Sequence, residues 1–304
     1  MQKFDRRELL GGTLAGAFAA GLYTTVTAED ALPQQHQGPL ARGQPPPRVI
    51  DTNVSLFQWP FRRLPLSETD ALLKKLRARG ISRAWAGSFE GLLHRDVAGV
   101  NARLAAECRE YGSNMLVPFG TVNPALPDWE EDLRRCAEEH HMPGVRLHPN
   151  YHGYSLKAPE FERLLRLATE RKLVVQLATA MEDQRTQHPL LQLDDVDLTP
   201  LSEIIQRIPD TKLVVLNHKA TGAAFTSLVK TPGVYFDMSR VNATDGISRV
   251  MRTLPPDRVV FGTHAPFLIY ESAMIKVYES NLTETETSAV LHQNAELLVS
   301  QTDA

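Results

Sequence analysis

Cysteine is close to absent: Cys108 and Cys136 are the only two in 304 residues. They are too few for a disulfide framework and do not stand at a metal-ligand spacing. Each falls on the apolar face of an expected helix, Cys108 with Val100, Leu104 and Tyr111, Cys136 with Trp129 and Leu133, so both read as buried structural thiols. A surplus of charge is missing too, with 33 Lys and Arg against 36 Asp and Glu and a formal net charge of -3. Nothing in that balance calls for nucleic acid as a partner. Internal repeats are absent, and the apolar stretch Gly11–Leu22 is short for a spanning helix and has no charged stop behind it. What is present, 42% hydrophobic and 23% charged residues, is the composition of a globular chain long enough for one large core or two smaller ones.

The two ends of the chain differ in kind. Arg6-Arg7 precedes the Gly/Ala/Leu segment, and Val26-Thr27-Ala28 offers a small-residue cleavage site. Residues 1–28 resemble a bacterial twin-arginine export signal, which implies a periplasmic protein off the membrane after cleavage; the alternative is an uncleaved N-terminal membrane anchor. Residues 29–47 are rich in Gln and Pro, end in Pro45-Pro46-Pro47, and have too little apolar content to fold, so they read as a linker. The folded domain is expected over 48–304.

From Arg48 onward, short β-type apolar runs alternate with amphipathic helical stretches. Eight strand candidates begin with Val49-Ile50, Ile81–Ala86, Met115–Thr121 and Gly144–Leu147, and continue with Leu173–Leu177, Leu213–Leu216, Val234–Met238 and Val259–Phe261. The spacing between strands leaves room for crossover helices but not hairpins. An eightfold βα alternation predicts a single (β/α)8 TIM barrel. Its chemistry belongs where the strands end, at the C-terminal face.

Those ends carry polar side chains. Strand one supplies Asn53 and, beyond it, Arg62; strand four supplies Arg146 and His148; strand five Gln176; strand six His218; strand eight His264. Alternation along each strand turns every second side chain inward, so Asn53, Arg146 or His148, Gln176 and His218 are expected to converge on one axial cavity. The long connection from Ala178 to Leu198, with Arg185, is expected to cover or line it.

Over roughly Val49 to Leu297 the sequence resembles the amidohydrolase-related barrel proteins of the metal-dependent hydrolase superfamily, down to the Asn294-Ala295 pair of the last helix. In that family, strand-end histidines and a final aspartate hold divalent ions that activate water. Aligned on that pattern, only His218 matches. Asn53 and Ser55 replace the two first-strand histidines, Gln176 replaces the fifth-strand one, and His264 replaces the aspartate. Amide and hydroxyl groups are poor zinc ligands beside imidazole, so the family's usual metal site is not expected. A fallback divalent site would use His148, His218 and His264.

The resemblance implies a hydrolase of a small carboxylated or cyclic ester or amide, with metal-free lactonases of the superfamily as a precedent. His218, His264 and His148 are the proton-exchange candidates. Arg146, Arg62 and Arg185 are candidates for holding a substrate carboxylate, and Asn53 and Gln176 for an oxyanion. A non-catalytic binding barrel is the alternative from another class. The sequence names neither the substrate nor an oligomeric state.

Overall fold

The computed structural model describes residues 48–112 and 115–300; the expected signal and linker lie outside the described residues. Eight strands run β1 (Val49–Leu56), β2 (Ile81–Ser88), β3 (Leu116–Thr121), β4 (Gly144–Leu147), β5 (Val174–Ala178), β6 (Leu213–Leu216), β7 (Val234–Asp237) and β8 (Val259–Val260). They pair in sequence order, and every neighbouring pair is parallel. The ring closes where the Thr52 and Ser55 amides donate to the Phe261 and Ala265 carbonyls, each at 2.9 Å. This is the expected (β/α)8 barrel.

Helices separate the strands: α1 (Thr69–Ala78), α2 (Val97–Gly112), α3 (Trp129–Glu138), α4 (Pro149–His152) and α5 (Pro159–Glu170) in the first half. α6 (Leu201–Gln206), α7 (Gly222–Val229), α8 (Gly246–Met251), α9 (Tyr270–Glu279), α10 (Glu284–Ser288) and α11 (Asn294–Ser300) follow. α5 shows the local logic. Pro159 opens it, where a missing N–H costs nothing, and Phe161, Leu164, Leu165 and Ala168 recur at helical spacing and are buried. Burying each of its Phe and Leu side chains stabilises the helix on the barrel by about 1.5–3 kcal/mol. The short α4 is missing from the sequence reading; it begins at Pro149 directly after β4 and stops at Gly153, where φ is 71°.

Strand alternation sorts the side chains into two cores. Val145, Val175, Leu177, Val215 and Phe236 face outward and pack with the helices. Ile50, Trp85, Phe119, Val174, Val214 and Val260 fill the barrel floor. Trp85 and Phe119 stack there at 4.7 Å between ring centres. The Asn294-Ala295 pair now has a physical reason. The Asn294 amide donates to the Pro256 and Val259 carbonyls at 2.8 Å each, and Ala295 is packed into the floor cluster. Cys108 and Cys136 are buried as expected, and burial raises the Cys108 thiol to about 12.

Candidate functional site

Above the apolar floor the barrel interior turns polar, and Arg146 is its hub. β4 alternates Val145 out, Arg146 in, Leu147 out, which leaves the guanidinium inside the barrel at 1% exposure. Its Nε donates to Gln176 Oε1 at 2.8 Å, and Nη1 to the Val54 carbonyl at 2.8 Å and Ser55 Oγ at 3.2 Å. Nη2 donates to the Trp85 carbonyl at 3.2 Å. Gln176 in turn donates its amide hydrogen to the Thr52 carbonyl at 2.6 Å. Burial lowers the Arg146 pKa to about 10, opposed by the carboxylates of Asp237 and Asp51.

A second network joins β1, β6, β7 and β8. Asn53 Nδ2 donates to Asp237 Oδ2 at 2.7 Å and to Asn217 Oδ1 at 2.8 Å. The Asn217 amide N–H donates to Asp237 Oδ1 at 2.8 Å, and Ser239 Oγ to Asn217 Oδ1 at 3.1 Å. Asp51 accepts from the Thr263 N–H at 2.9 Å, the Thr263 hydroxyl at 2.5 Å and the Asn53 N–H at 3.1 Å. Burial nevertheless raises Asp51 to about 6 and Asp237 above the ordinary carboxylate range. Asn53 reaches this face because β1 slips its register between Asp51 and Val54. That slip puts Ile50 and Asn53, three residues apart, both inside the barrel.

The three histidines part company. His264, at the end of β8, is 3% exposed and stacks on Phe267 at 5.0 Å. Its Nε2 lies 2.8 Å from the Met181 carbonyl oxygen. A carbonyl only accepts, so Nε2 carries the hydrogen of the neutral ring and Nδ1 is bare. That Nδ1 is buried without a partner, as is Nδ1 of His148. Burial lowers His264 to about 3 and drives His148 well below its usual value, with like-charge repulsion from His152, Arg146 and His264 adding to the second shift. Arg240, Arg146 and Lys276 add positive charge around His264.

His218 does not join them. Alternation from Val214 and Leu216 would send it inward, but Asn217 adopts a left-handed backbone with φ of 61°. The chain turns one residue early, Asn217 takes the inward place, and the His218 ring lies against Phe225 and Phe236 at 6.2 and 6.0 Å. Phe225 and Phe236 belong to the outer core. The expected convergence on His218 is thereby corrected to convergence on Asn217. The fallback trio of His148, His218 and His264 is not assembled, and among the described residues no group of three His, Cys, Asp or Glu side chains is placed to hold a metal ion.

A roof of apolar side chains covers the mouth: Trp59, Leu64, Phe89, Leu92 and Met181 form one cluster, with Phe61, Tyr151 and Phe267 against it. Arg62 ties this roof together. It pairs with the buried carboxylate of Glu182 in the β5–α6 connection and lies over the Phe267 ring, 5.6 Å from its centre. Arg185, expected near substrate, instead points to solvent with an 88% exposed side chain and pairs with Asp183 of its own loop. Asn217 and Asp237 stand at strand ends but were given no role from the sequence, and Thr263, Glu182 and Lys276 are further site members. Asp237 follows from alternation with Tyr235, whereas Lys276 arrives from α9, where no strand pattern points to it.

The profile of the family described as amidohydrolase matches residues 58–299. The chain belongs to the amidohydrolase family. No curated protein matches it. Among solved structures, 2,6-dihydroxybenzoate decarboxylase from Rhizobium superimposes with a TM-score of 0.65 at 13% identity, covering 86% of this chain and 100% of that one. The 5-carboxyvanillate decarboxylase from Sphingomonas paucimobilis gives 0.66 at 12%, covering 83% and 99%. A dihydroxybenzoic acid decarboxylase from Polaromonas sp. JS666, with bound manganese and the inhibitor 2-nitroresorcinol, gives 0.67 at 12%, covering 86% and 98%. Identities this low establish the barrel, not the reaction.

The family barrel invites a divalent ion, and the residues here do not fit one. Gln176 Oε1 and Ser55 Oγ accept from the Arg146 guanidinium, Asn53 spends its amide hydrogens on Asp237 and Asn217, and His264 Nε2 faces Met181. Apart from the bare Nδ1 of His264, these side chains are neutral, already engaged, and beside a positive charge.

Proposed function

We propose that this amidohydrolase-family barrel is a hydrolase of a small carboxylated or cyclic ester or amide. In this reading it is exported by the twin-arginine route, as Arg6-Arg7 and the segment behind them suggest, and it works by imidazole chemistry at the barrel mouth. The observation that supports it most is the pair of buried, unpartnered Nδ1 atoms on His264 and His148. His264, with its hydrogen fixed on Nε2 by the Met181 carbonyl, offers Nδ1 as the base that takes a proton from water. The protonated His264 then hands that same proton to the leaving group, directly or relayed through His148, so both rings end the cycle neutral. The surrounding Arg240, Arg146 and Lys276 favour an anionic substrate and an anionic intermediate. Neutral imidazoles suit this role, since a protonated base takes nothing from water. Turnover requires the Trp59 roof to lift, which admits water and raises the basicity that burial suppresses.

A panel of lactones, esters and carboxylated amides, assayed with and without chelator, tests the reading. Turnover that survives chelation and falls by about 100-fold or more in His264→Ala and His148→Ala supports it. Turnover lost to His218→Ala but kept in His264→Ala overturns it. One observation favours a non-catalytic binding barrel as a second reading: Arg146, Asn53 and Gln176 use their donors on protein groups. Saturable ligand binding with no turnover across the panel would select that alternative.

A further inference from the structure

The guanidinium of Arg146 makes four hydrogen bonds from five available N–H groups, to partners on β1, β2 and β5, while itself rooted on β4. It thus links two neighbouring strand pairs, β1–β2 and β4–β5, across the barrel interior. β2 is shaped to receive it. A Cβ on Gly87 would lie 2.7 Å from Nη1 and 2.9 Å from Cζ, closer than real Cβ atoms approach, and 3.0 Å from Cδ. Two of its acceptors, Ser55 and Gln176, stand where the family resemblance puts first-strand and fifth-strand metal ligands. Asp51 on β1 and Asp237 on β7 supply negative charge toward it. A buried cation, a set of oxygen acceptors around it, and nearby carboxylates are the parts of an ion site, with the ion covalently attached.

We propose that Arg146 is the resident cation of this mouth, its guanidinium seated on the very oxygens that a divalent ion would need, so that guanidinium and metal exclude each other. Arg146 is then a positioning residue that fixes the strand-one and strand-five lips. It is not a free clamp for a substrate carboxylate. Its forked geometry matters as much as its charge, because one ammonium on a flexible stem cannot reach Gln176 Oε1, Val54 O and Trp85 O together. This inference concerns stability and ion content and stands whether or not a turnover is found.

The test uses the full chain. After expression with added manganese and zinc followed by dialysis, elemental analysis of the wild type is expected to find below about a tenth of an equivalent of either ion. Arg146→Met, close in length but without donors, is expected to lower the thermal midpoint by roughly 5–15 °C, since it strands buried carbonyls and Gln176. Arg146→Lys is expected to fall between the two. In Arg146→Ala, methylguanidinium at low millimolar concentration is expected to raise the midpoint, whereas methylammonium at equal ionic strength does not. If Arg146→Ala fails to fold, the Met and Lys variants and the wild-type metal content still decide. A stoichiometric divalent ion in the wild type overturns the proposal. So does an Arg146→Met midpoint equal to wild type, or equal rescue by methylammonium.

Discussion

Replacing Asp51 by asparagine tests how dry the mouth is. Asp51 is fully buried, and burial raises its pKa from 3.8 to about 6 against the pull of the Thr263 and Asn53 hydrogen bonds. Asp237 adds to the rise, while Arg146 and Tyr270 are the other titratable groups that sense Asp51. A raised pKa means that the folded protein holds this proton more tightly than the unfolded chain. Below the unfolded value both states are protonated and the full contribution is present. Between about pH 4 and 6 the unfolded chain releases its proton and the folded one does not, so stability falls as pH rises. Above about pH 6 the loss levels off near 3 kcal/mol, from about 1.36 kcal/mol per pH unit. Asp51→Asn removes this ionisation and keeps the contacts: the amide oxygen accepts from the Asn53 and Thr263 N–H groups, and the amide nitrogen donates to the Thr263 hydroxyl. Urea unfolding at several pH values between about 4 and 8 should show a flatter profile for the variant and a gain of up to about 3 kcal/mol at the alkaline end. Equal slopes in the two proteins, or a variant less stable than wild type at pH 8, would refute the reasoning.

Two further outcomes follow from the same geometry. Gly87→Ala places a methyl 2.7 Å from Arg146 Nη1, and the guanidinium is pinned by four hydrogen bonds. A loss of about 1–3 kcal/mol is expected, and a thermal midpoint equal to wild type would show that Arg146 shifts freely. Arg62→Ala leaves the Glu182 carboxylate, 2% exposed, without its cation and loosens the roof over the mouth. The stability cost is small, about 1 kcal/mol, because the Arg62 side chain is itself 41% exposed. Acrylamide should nevertheless quench Trp59 more readily, with Trp85 and Trp129 as a constant buried background; unchanged quenching would show that the pair is not a latch.

The barrel was legible because its strands obey one rule throughout the floor. β5 alternates Val174 in and Val175 out, and β6 alternates Leu213 out and Val214 in, so hydrophobic runs of the right spacing imply the ring. Arg146 and Gln176 extend that alternation and were placed correctly inside. The rule ends where the backbone leaves the strand. Asn217 and His264 both have positive φ, at 61° and 59°, and β1 shifts register before Val54. At such positions the side-chain direction is set by the local turn, not by period two. Asn tolerates the left-handed region better than most residues, so the sequence Leu216-Asn217-His218 held a hint that the inward place belonged to Asn217. Arg185 illustrates a different limit: Asp183, two residues before it, captures the guanidinium within its own loop.

Comparing two levels of the same barrel shows what the polar mouth implies. In the floor, β1, β5, β6 and β8 present Ile50, Val174, Val214 and Val260. At the lip, β1, β5 and the end of β6 present Asn53, Gln176 and Asn217, joined by Arg146 and Asp237. Well-packed apolar residues of similar volume at these places would be neutral or stabilising by about 1–4 kcal/mol relative to a buried charged network. Folding alone therefore gives no reason for the change in chemistry between the two levels. Most of the network is satisfied internally, which fixes the lips of four strands with little freedom. Among the buried atoms left without partners, Nδ1 of His148 and of His264 sit beside that rigid frame, and one of them is bare by hydrogen-bond logic. A rigid polar frame, its guanidinium offset by buried carboxylates, beside unpartnered imidazoles is an arrangement suited to exchanging protons with a small molecule. A barrel relieved of chemistry would let these positions drift toward the apolar packing of its floor.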